Sequence, residues 1–487
     1  MRSLSIWGSG TIIDELVIGA LFLSALLSGF WAAGHALLHK RDPRSALVWV
    51  TLSLTVPLAG PLAYWLLGIN RITRRALRWQ QRGQRLSGDR QGAGRRHASA
   101  SLGAPFAQLR DLVSLEDRVV HNRLLPGNRI ELLENGEEAY PAMLAAIAGA
   151  SQTINLSSYI FDGDGAGAAF VAALTAAARG GVAVRVIVDA LGERYSRLTA
   201  RAALAGSGVD VRLYLPLSKG PTINLRNHRK LLIVDGALAF TGGMNIRTRH
   251  CLRQAGPAEA TADLQFRIQG PVVGDLQRIF LEDWYFVSGR LLDDLPFFPP
   301  LPACGEAVLR AIGDGPDREF RKLEWIVTGA LSTARRRVRI MTPYFIPDRP
   351  MLIALSTAAL RGVEVTLLLP AVNNLPFVTW AGRASYWELL KNGVRIYEQP
   401  APFRHTKLLQ VDDCWTLIGS ANLDTRSLRL NFELNLSVYD LPFAAAINRY
   451  LDAALHLAHP VTPAQMDDRS LPVRLRDGAA RLFSPYL

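Results

Sequence analysis

His228-Arg-Lys230-Leu-Leu-Ile-Val-Asp235 leads into Gly242-Gly243-Met-Asn245, and the same pattern returns as His405-Thr-Lys407-Leu-Leu-Gln-Val-Asp412 leading into Gly419-Ser420-Ala-Asn422. Both copies read His-x-Lys-x4-Asp-x6-Gly-[Gly/Ser]-x-Asn with identical spacing. Because each residue type makes up only a few per cent of an average chain, one such match at a given start position has a chance below about one in a million. Two matches therefore mark the part of the chain around which the fold is built.

The residues between Lys and Asp predict a buried strand in each copy. Residues 231–234 and 408–411 are almost entirely apolar, as in a strand that enters the core. In an extended chain, residues two positions apart project from the same face. The histidine and the lysine of each motif are therefore expected to point together into one pocket.

Alternating strands and helices precede each motif. Residues 153–160, 182–188 and 209–214 predict strands, with a helix at 168–178. Residues 338–341, 352–360, 363–369 and 392–397 repeat this order before the second motif. Two α/β units of one plan, each closed by the same motif, predict an internal duplication.

The N-terminus predicts a membrane region. Residues 16–38 carry no formal charge and are long enough to cross a bilayer as a helix. A second apolar run, residues 45–69, is compatible either with a second span or with a segment that enters the membrane and returns. This second run is interrupted by Pro57, Gly60 and Pro61. Three aromatic residues fit an interfacial belt: Trp49, Tyr64 and Trp65.

Charge and cysteine content limit the partners and the compartment. The net charge of +13 predicts affinity for nucleic acid or for an anionic membrane surface. Arginines concentrate between residues 71 and 96, and the positive-inside rule places that segment and the chain after it in the cytoplasm. These arginines either contact acidic head groups or belong to a solvated linker. Cys251, Cys304 and Cys414 indicate neither a disulfide framework nor a metal cluster.

The paired motifs resemble those of the phospholipase D superfamily, and the flanking sequence is similar to its bacterial cardiolipin synthase branch. The similarity extends over essentially the whole chain. It is carried by Asn224-Leu-Arg-Asn-His-Arg-Lys230, Gly419-Ser-Ala-Asn-Leu-Asp-Thr-Arg-Ser427, Leu430-Asn-Phe-Glu433 and Arg481-Leu-Phe-Ser-Pro-Tyr-Leu487. The resemblance implies an α/β fold of two duplicated phospholipase D-like α/β/α domains with pseudo-twofold symmetry, preceded by an N-terminal hydrophobic membrane region.

A division of the chain follows from the composition and the resemblance together. The expected segments are a membrane region (1–70), an Arg-rich linker (71–126), a first phospholipase D-like domain (127–295), a junction (296–320), a second such domain (321–460) and a C-terminal tail (461–487).

The chemistry expected of two such motifs is phosphoryl transfer through a histidine. One imidazole attacks phosphorus to form a phosphohistidine, while the other acts as general acid and then as general base. The sequence does not say which is the nucleophile; family precedent favours His228, with His405 as the acid. Lys230 and Lys407 are suited to the non-bridging phosphate oxygens. Asn245 and Asn422 add neutral donors, and Gly243 or Ser420 permits close backbone approach.

Four carboxylates complete the predicted site. The resemblance implies that the acidic residue at Glu433, which follows His405 within the same half, hydrogen-bonds the motif histidine and holds its tautomer. Asp263 is expected to serve in the same way in the first half, after a longer loop. Asp235 and Asp412 belong to the motif and are candidates for catalysis or for anchoring the turn beneath the site.

The leading hypothesis is a cardiolipin synthase that transfers a phosphatidyl group from one phosphatidylglycerol to another. The alternatives are a phospholipase D that releases phosphatidic acid, a superfamily nuclease, and a non-enzymatic membrane scaffold. The expected partners are phosphatidylglycerol and anionic membrane lipids, with no nucleic acid, and no cofactor or metal is expected. The expected location is the bacterial inner (plasma) membrane, with the catalytic domains in the cytoplasm; the oligomeric state is not predicted.

Other residues are candidates for smaller roles. Tyr159 and Tyr344, in matching strands, either line a lipid entrance or belong to the core, and the core is the preferred interpretation. Thr366 and Asn373-Asn374 depart from the family pattern and are candidates for altered substrate preference. Five further histidines are interpreted as ordinary, because they lack partner spacing: His35, His97, His121, His250 and His456.

Overall fold

The structure is a computed structural model that describes residues 9–40, 43–69, 102–216, 225–292, 297–315 and 321–484. The chain forms two compact units, Met1–Arg75 and Ala76–Leu487.

The smaller unit is a helical hairpin. Its first helix is Ser9–His39, and the part from Asp14 to His39 is long and apolar enough to cross a membrane. The second apolar run forms the helices Pro43–Thr55 and Ala59–Ala63 and the π-helix Tyr64–Gly68. Neither α-helix of this run reaches the roughly 20 residues that a span requires.

Two aromatic residues of the smaller unit are buried, which corrects the prediction of an interfacial belt. Trp49 and Tyr64 pack with Ala32 and Ala36 in the centre of the hairpin. The Tyr64 hydroxyl lies 2.7 Å from His35 Nδ1, so this histidine holds the hairpin together. Trp65 remains exposed, as predicted for a residue at a membrane surface.

The larger unit contains the strands of the fold. In chain order they are β1 Leu125–Glu134, β2 Thr153–Ser158, β3 Ala183–Asp189, β4 Asp210–Tyr214, β5 Leu231–Val234, β6 Leu238–Gly242, β7 Thr261–Ala262, β8 Leu264–Gln269, β9 Ala307–Asp314, β10 Arg337–Met341, β11 Phe345–Ile346, β12 Glu364–Pro370, β13 Arg395–Gln399, β14 Phe403–Arg404, β15 Leu408–Val411, β16 Trp415–Gly419, β17 Leu423–Asp424, β18 Glu433–Tyr439 and β19 His459–Pro460.

The two halves of this unit have the same strand order. The first half runs β1-β8-β6-β5-β2-β3-β4 and the second runs β9-β18-β16-β15-β10-β12-β13, with β19 added at its edge. The halves join where β1 pairs with β9 through an irregular register, Leu125 with Leu309 and Asn128 with Ala307. The predicted duplication is therefore visible strand by strand.

Helices cover the sheets of both halves. The α-helices of the larger unit are Arg110–Val119, Asn135–Ala148, Ala166–Arg179, Ala200–Ala203, Val272–Ser288, Lys322–Thr333, Arg349–Leu360, Pro376–Arg383, Tyr386–Lys391, Thr425–Arg429, Leu441–His456, Pro463–Asp467 and Leu471–Arg481. Short 3₁₀ turns lie at Ala104–Leu109, Gly192–Tyr195 and Thr248–His250.

The core is built from the apolar strands predicted by the sequence. Strands β5 and β15 are buried along their whole length. Strand β2 is buried on both faces, as expected of a strand in a sheet covered by helices on each side. Strand β9 departs from the prediction, because it lies inside the segment 296–320 that was expected to be a junction.

Candidate active site

The two motifs enter the fold at equivalent points. His228 and Lys230 stand immediately before β5, and His405 and Lys407 stand before β15. Strand β5 runs antiparallel to β2 and β15 antiparallel to β10, so both pairs lie at the edge where β2 and β10 end. All four residues are buried.

Backbone hydrogen bonds tie each motif to the opposite half of the chain. The N–H of His228 donates to the carbonyl of Phe432 at 2.9 Å, and the N–H of His405 donates to the carbonyl of Ala262 at 2.8 Å. Residues 403–404 pair with residues 261–262 as strands β14 and β7. The two motifs are therefore held together at the boundary between the halves.

The orienting carboxylates are exchanged between the halves. His228 Nδ1 lies 3.1 Å from Glu433 Oε2, and His405 Nδ1 lies 2.8 Å from Asp263 Oδ2. The sequence offsets predicted that each acid bonds the histidine of its own half, and that prediction is wrong. Asp263 immediately precedes β8 and Glu433 begins β18. The residue before each acid accepts a backbone hydrogen bond from the other half's histidine, so each acid reaches across the boundary.

The carboxylate contacts favour the tautomer of each ring that carries its proton on Nδ1. A carboxylate that accepts from Nδ1–H leaves Nε2 as the free nitrogen with a lone pair. Lys407 Nζ also lies 2.8 Å from His405 Nδ1. The two contacts of this nitrogen are alternatives, because only a protonated Nδ1 donates to Asp263 and only an unprotonated one accepts from Lys407.

The two lysines lie close enough to act on both histidines. Lys230 Nζ donates to the His228 carbonyl at 2.7 Å, and Lys407 Nζ donates to the His405 carbonyl. Burial lowers the pKa of Lys230 to about 7, with Lys407 lowering it further and Glu433 opposing. Burial likewise lowers the pKa of Lys407 to about 8. Both ammonium groups are thus costly to keep charged until an anion enters.

The histidines are neutral at neutral pH for the same reason. Burial lowers the pKa of His405 to about 3, Lys407 adds to this, and Asp263 opposes it. Burial also lowers the pKa of His228, and the two lysines add to the effect. Lys407 therefore acts on His228 as well as on its own motif, which shows that the two motifs share one electrostatic environment.

The acids remain charged despite their burial. Burial alone would raise the pKa of Asp263, but Lys407 and the bond from His405 lower it to about 2. His228, Lys230 and Ser420 likewise lower the pKa of Glu433 against the effect of burial. The empty site thus holds two carboxylates and two neutral imidazoles.

Glycine and serine occupy one position of the two motifs for different reasons. A Cβ at Gly243 would lie about 2.4 Å from the Asp263 carboxylate, so only glycine leaves room for the shorter acid. Ser420 instead donates its hydroxyl to Glu433, and its carbonyl lies 3.1 Å from His228 Nδ1. Ser420 therefore supports the carboxylate of its own half.

Comparison with known proteins agrees with this geometry. The family described as "Cardiolipin synthase, PLD-like domain" matches residues 143–284 and 327–455, which is more than half of the chain. A second family, "Phospholipase_D-nuclease N-terminal", matches residues 29–68.

This chain belongs to the cardiolipin synthase family of phospholipase D-like proteins. The resemblance inferred from the motifs is confirmed, and so is the fold class of two duplicated α/β domains. The chain is 32% identical over 510 residues to a cardiolipin synthase of Geobacillus kaustophilus, covering 98% of this chain and 99% of that protein. It is 30% identical to cardiolipin synthase 1 of Staphylococcus epidermidis, with the same coverage.

A solved structure supports the fold of this family member. The phosphatidylserine synthase of Haemophilus influenzae superposes with a TM-score of 0.61 at 14% identity, covering 77% of this chain and all of that one. At that identity the likeness concerns the fold alone. The N-terminal family match covers part of the helix Asp14–His39, which is long and apolar enough to cross a membrane.

The motif aspartates of this family member do not face the histidines, so their listing as catalytic candidates is wrong and the preferred role, anchoring of the turn, is the one that the structure supports. The Asp235 carboxylate accepts from the N–H groups of residues 151–153, each at 2.8 Å. The Asp412 carboxylate accepts in the same way from the N–H groups of residues 335–337. Both lie at the far ends of β5 and β15 with φ near +50°, where they anchor the turns beneath the site.

The motif asparagines also have partners within the protein. Asn245 Oδ1 accepts from the N–H of Ile160 at 3.1 Å. Asn422 Nδ2 donates to Ser427 at 3.2 Å, while its buried Oδ1 has no hydrogen-bond partner among the described residues. Donation to phosphate by either side chain stays a prediction.

Two tyrosines face the motif histidines, which corrects their interpretation as core residues. The rings of Tyr159 and His228 are 5.2 Å apart, and those of Tyr344 and His405 are 6.2 Å apart. Both tyrosines are half-buried, and burial raises the pKa of each above its ordinary value. Their matching places in the two halves were a usable sequence signal.

His250 also lies near the site rather than in an unrelated environment. Its ring is 6.4 Å from that of His405, and burial lowers its pKa to about 4. Asp263 opposes this effect, so His250 faces the same carboxylate from another side. No spacing pattern in the sequence pointed to it.

Arg226 and Arg426 add positive charge beside Tyr159, the tyrosine that faces His228, and sequence reasoning missed both. Arg226 precedes His228 by two residues, and its carbonyl accepts from the N–H of Phe432 at 2.8 Å. Burial lowers the pKa of Arg426, and the neighbouring Arg226 lowers it further. The same-face rule for alternate residues of an extended chain could have identified Arg226.

The departures from the family pattern fall in different places. Asn374 Oδ1 accepts from the Tyr344 hydroxyl at 2.8 Å, so it lies at the edge of the site. Asn373 Nδ2 donates to the carbonyl of Pro343 at 2.9 Å. Thr366 is buried in the middle of β12, opposite Arg339 and Arg395 in the register. Only the asparagines are near enough to affect substrate choice directly.

Within the described ranges, no group of three or more His, Cys, Asp and Glu residues is arranged to hold a metal ion. Among the cationic side chains described above, Lys230 and Lys407 are the ones that act on both motif histidines.

Proposed function

We propose that this protein makes cardiolipin by transferring a phosphatidyl group from one phosphatidylglycerol to another, with release of glycerol. The observation that carries the proposal is the crossed arrangement of two histidines, each oriented by a carboxylate of the other half, around a shared pair of lysines. Full-length similarity to curated cardiolipin synthases supports the choice of substrate.

In the first step, Nε2 of His228 attacks phosphorus and the bond from phosphorus to the glycerol oxygen breaks. His405 donates a proton to that oxygen, so glycerol leaves as a neutral alcohol. In the second step, His405 takes the proton of a hydroxyl on a second phosphatidylglycerol. That oxygen attacks the phosphohistidine, and His228 is released. The bond broken and the bond formed are both phosphodiesters, so the exchange needs no nucleotide.

The lysines couple substrate binding to protonation. A phosphodiester carries one negative charge, which favours the charged forms of Lys230 and Lys407 once it is bound. The same charge raises the pKa of His405 from its low value in the empty site, and the histidine can then serve as an acid. The burial that lowers these pKa values in the empty enzyme makes the site selective for an anion.

The second lipid brings its own phosphate, for which we propose Arg226 and Arg426. The acceptor hydroxyl and the acceptor phosphate belong to one glycerol head group, so they are only a few bonds apart. A cation two residues from His228 in an extended segment, about 7 Å along the chain, is at a suitable distance. A guanidinium matches the geometry of a phosphate.

We also propose that the catalytic unit lies on the cytoplasmic side of the inner membrane. The arginines between residues 71 and 96 support this orientation through the positive-inside rule. Whether the second apolar run spans the membrane does not change the side on which the catalytic unit lies.

The test supplies purified protein in vesicles with labelled phosphatidylglycerol and a metal chelator, followed by separation of the lipids. Cardiolipin with an equal amount of glycerol is the expected result, and His228→Ala and His405→Ala are each expected to abolish it. Phosphatidic acid without cardiolipin would indicate a phospholipase D. Cleavage of DNA without lipid turnover would indicate a nuclease, and either outcome would overturn the proposal.

A further inference from the structure

Exposed apolar side chains surround the edge at which the site opens. In the first half, Tyr195 and Leu198 follow the end of β3 and are 59% and 42% exposed. In the second half, Val372 and Leu375 occupy the equivalent loop after β12 and are 68% and 48% exposed. Tyr195 lies 6.4 Å from Tyr159, which faces His228, so these residues form a rim around the site.

The C-terminal helix, Leu471–Arg481, extends this rim. It packs on the helix Pro376–Arg383, with Ala480 buried against Ala381 and Ile346. The Phe483 ring, just beyond the helix, lies 5.6 Å from Phe377. These contacts also connect the C-terminal helix to the active site. The loop before Pro376 holds Asn374, which accepts a hydrogen bond from Tyr344, and the Tyr344 ring faces His405.

The opposite face of this helix is apolar and has no covering element in the described chain. Leu471, Leu475 and Leu482 are 66%, 64% and 79% exposed. Their spacing of four and seven residues places them on one helical face. A soluble protein gains nothing from presenting such a stripe to water, whereas single exposed leucines are ordinary.

The charges of the helix identify the kind of partner. Its single acid, Asp477, is buried and paired with Arg469 and Arg476. Arg474 and Arg481 are exposed beside the leucines. An apolar face flanked by arginines fits the interface of a bilayer that contains anionic lipid, where leucines enter the acyl boundary and arginines meet the head groups.

We infer that the rim and the C-terminal helix form a membrane-docking surface that seats the mouth of the active site on an anionic bilayer. This surface is additional to the N-terminal membrane helix. It rests on the proposed function for its substrate, a lipid that must pass from the bilayer to His228. Docking gives that lipid a path along the apolar rim without exposing its chains to water.

The test uses the full chain in vesicles of phosphatidylcholine and phosphatidylglycerol, with a bimane label at Leu475→Cys. The labelled chain also carries Cys304→Ser, because the other cysteines are buried, and His228→Ala, so that the lipid composition stays constant. The matched control is Leu360→Cys. Leu360 is 71% exposed at the end of the helix Arg349–Leu360, at the opposite edge of the sheet.

Lipids brominated in their acyl chains are expected to quench the label at position 475 several-fold more than the label at 360. Replacing phosphatidylglycerol by phosphatidylcholine is expected to weaken the quenching at 475. Equal quenching at both positions, or no quenching at 475, would contradict the proposed docking surface. A blue-shifted emission at 475 without quenching overturns it too, since another protein copy would then cover the helix.

The readout is independent of turnover. Quenching at 475 without cardiolipin formation by the wild type would leave the docking surface intact and remove the proposed function. Cardiolipin formation without quenching at 475 would do the reverse.

Discussion

Asp263 and Glu433 differ by one methylene, and the site accommodates the difference at Gly243 and Ser420. The shorter carboxylate approaches the backbone where any Cβ would collide with it. The longer one extends past Ser420 and accepts from its hydroxyl. The acids are thus not interchangeable, although each orients one imidazole.

At the residue scale, the crossed pairs give a test of which histidine is the nucleophile. We predict that the Asp263→Asn variant accumulates the phosphohistidine when its substrate is a nitrophenyl phosphodiester. Nitrophenolate departs without a general acid, so the intermediate still forms. His405 without its carboxylate no longer activates the acceptor, so the intermediate is not consumed. Glu433→Gln is expected to slow the release of nitrophenolate by about 10³–10⁴-fold, since an amide favours the wrong tautomer of His228. Rapid-quench measurement of labelled protein and nitrophenolate distinguishes the two variants.

The opposite pattern, with the intermediate accumulating in Glu433→Gln, would assign the nucleophile to His405. Equal effects of both variants on nitrophenolate release would contradict the division of roles.

At the scale of elements, the motif aspartates work as turn anchors. Asp235 and Asp412 each gather three consecutive backbone N–H groups at the start of the neighbouring strand. The Asp235 pKa is lowered because these bonds outweigh the effect of burial. The carboxylates thereby fix the register of β5 on β2 and of β15 on β10, which positions the histidines at the other end.

We predict that Asp235→Asn lowers the free energy of unfolding by about 1–2 kcal/mol at neutral pH, a modest value because the carboxylate is half-exposed. Because the folded-state pKa is lowered, this stabilisation is present above the unfolded pKa of about 3.9 and is lost as pH falls through the folded value. The difference from wild type should therefore shrink in acid. Turnover per folded molecule should change little, since Asp235 lies far from the histidines.

Thermal unfolding in detergent at several pH values measures the effect. Asp164→Asn is the control, because the Asp164 side chain is exposed. A large loss of turnover with unchanged stability in Asp235→Asn would return this aspartate to the catalytic set.

Local patterns predicted the elements well where the chain is apolar and regular. The strands before and within each motif lie where their hydrophobic runs place them, because a strand buried on both faces needs such a run. Strand β9 was missed because it contains the buried Arg310 and Asp314, and its place is decided by pairing with β18. No local pattern encodes a pairing between distant strands.

Prediction of the active site from the sequence was limited in the same way. His228, Lys230, His405 and Lys407 were predicted because their spacing is local. The exchange of Asp263 and Glu433, and the approach of Arg426 to Arg226, depend on how the halves meet. A sequence read along one half could not supply those contacts.

At the scale of the whole molecule, one chain should contain one complete site. We predict that His228→Ala and His405→Ala chains, reconstituted together, give no more cardiolipin than the sum of the two separate preparations. The reason is that β1 pairs with β9 and each histidine bonds the other half within the same chain. The measurement is lipid turnover in mixed vesicles, with wild type diluted by either variant as the control.

Activity well above that sum would mean that sites form between two chains by exchange of halves. Such a result would leave the chemistry unchanged and revise the assembly.

The exchange of carboxylates between the halves also determines when the site becomes complete during synthesis of the chain. His228 leaves the ribosome some two hundred residues before Glu433, and until then its imidazole has no orienting partner. We therefore expect a chain that stops before β18 to be inactive, because His228 then lacks the carboxylate that orients it. The complete site forms only after β18 has been synthesised.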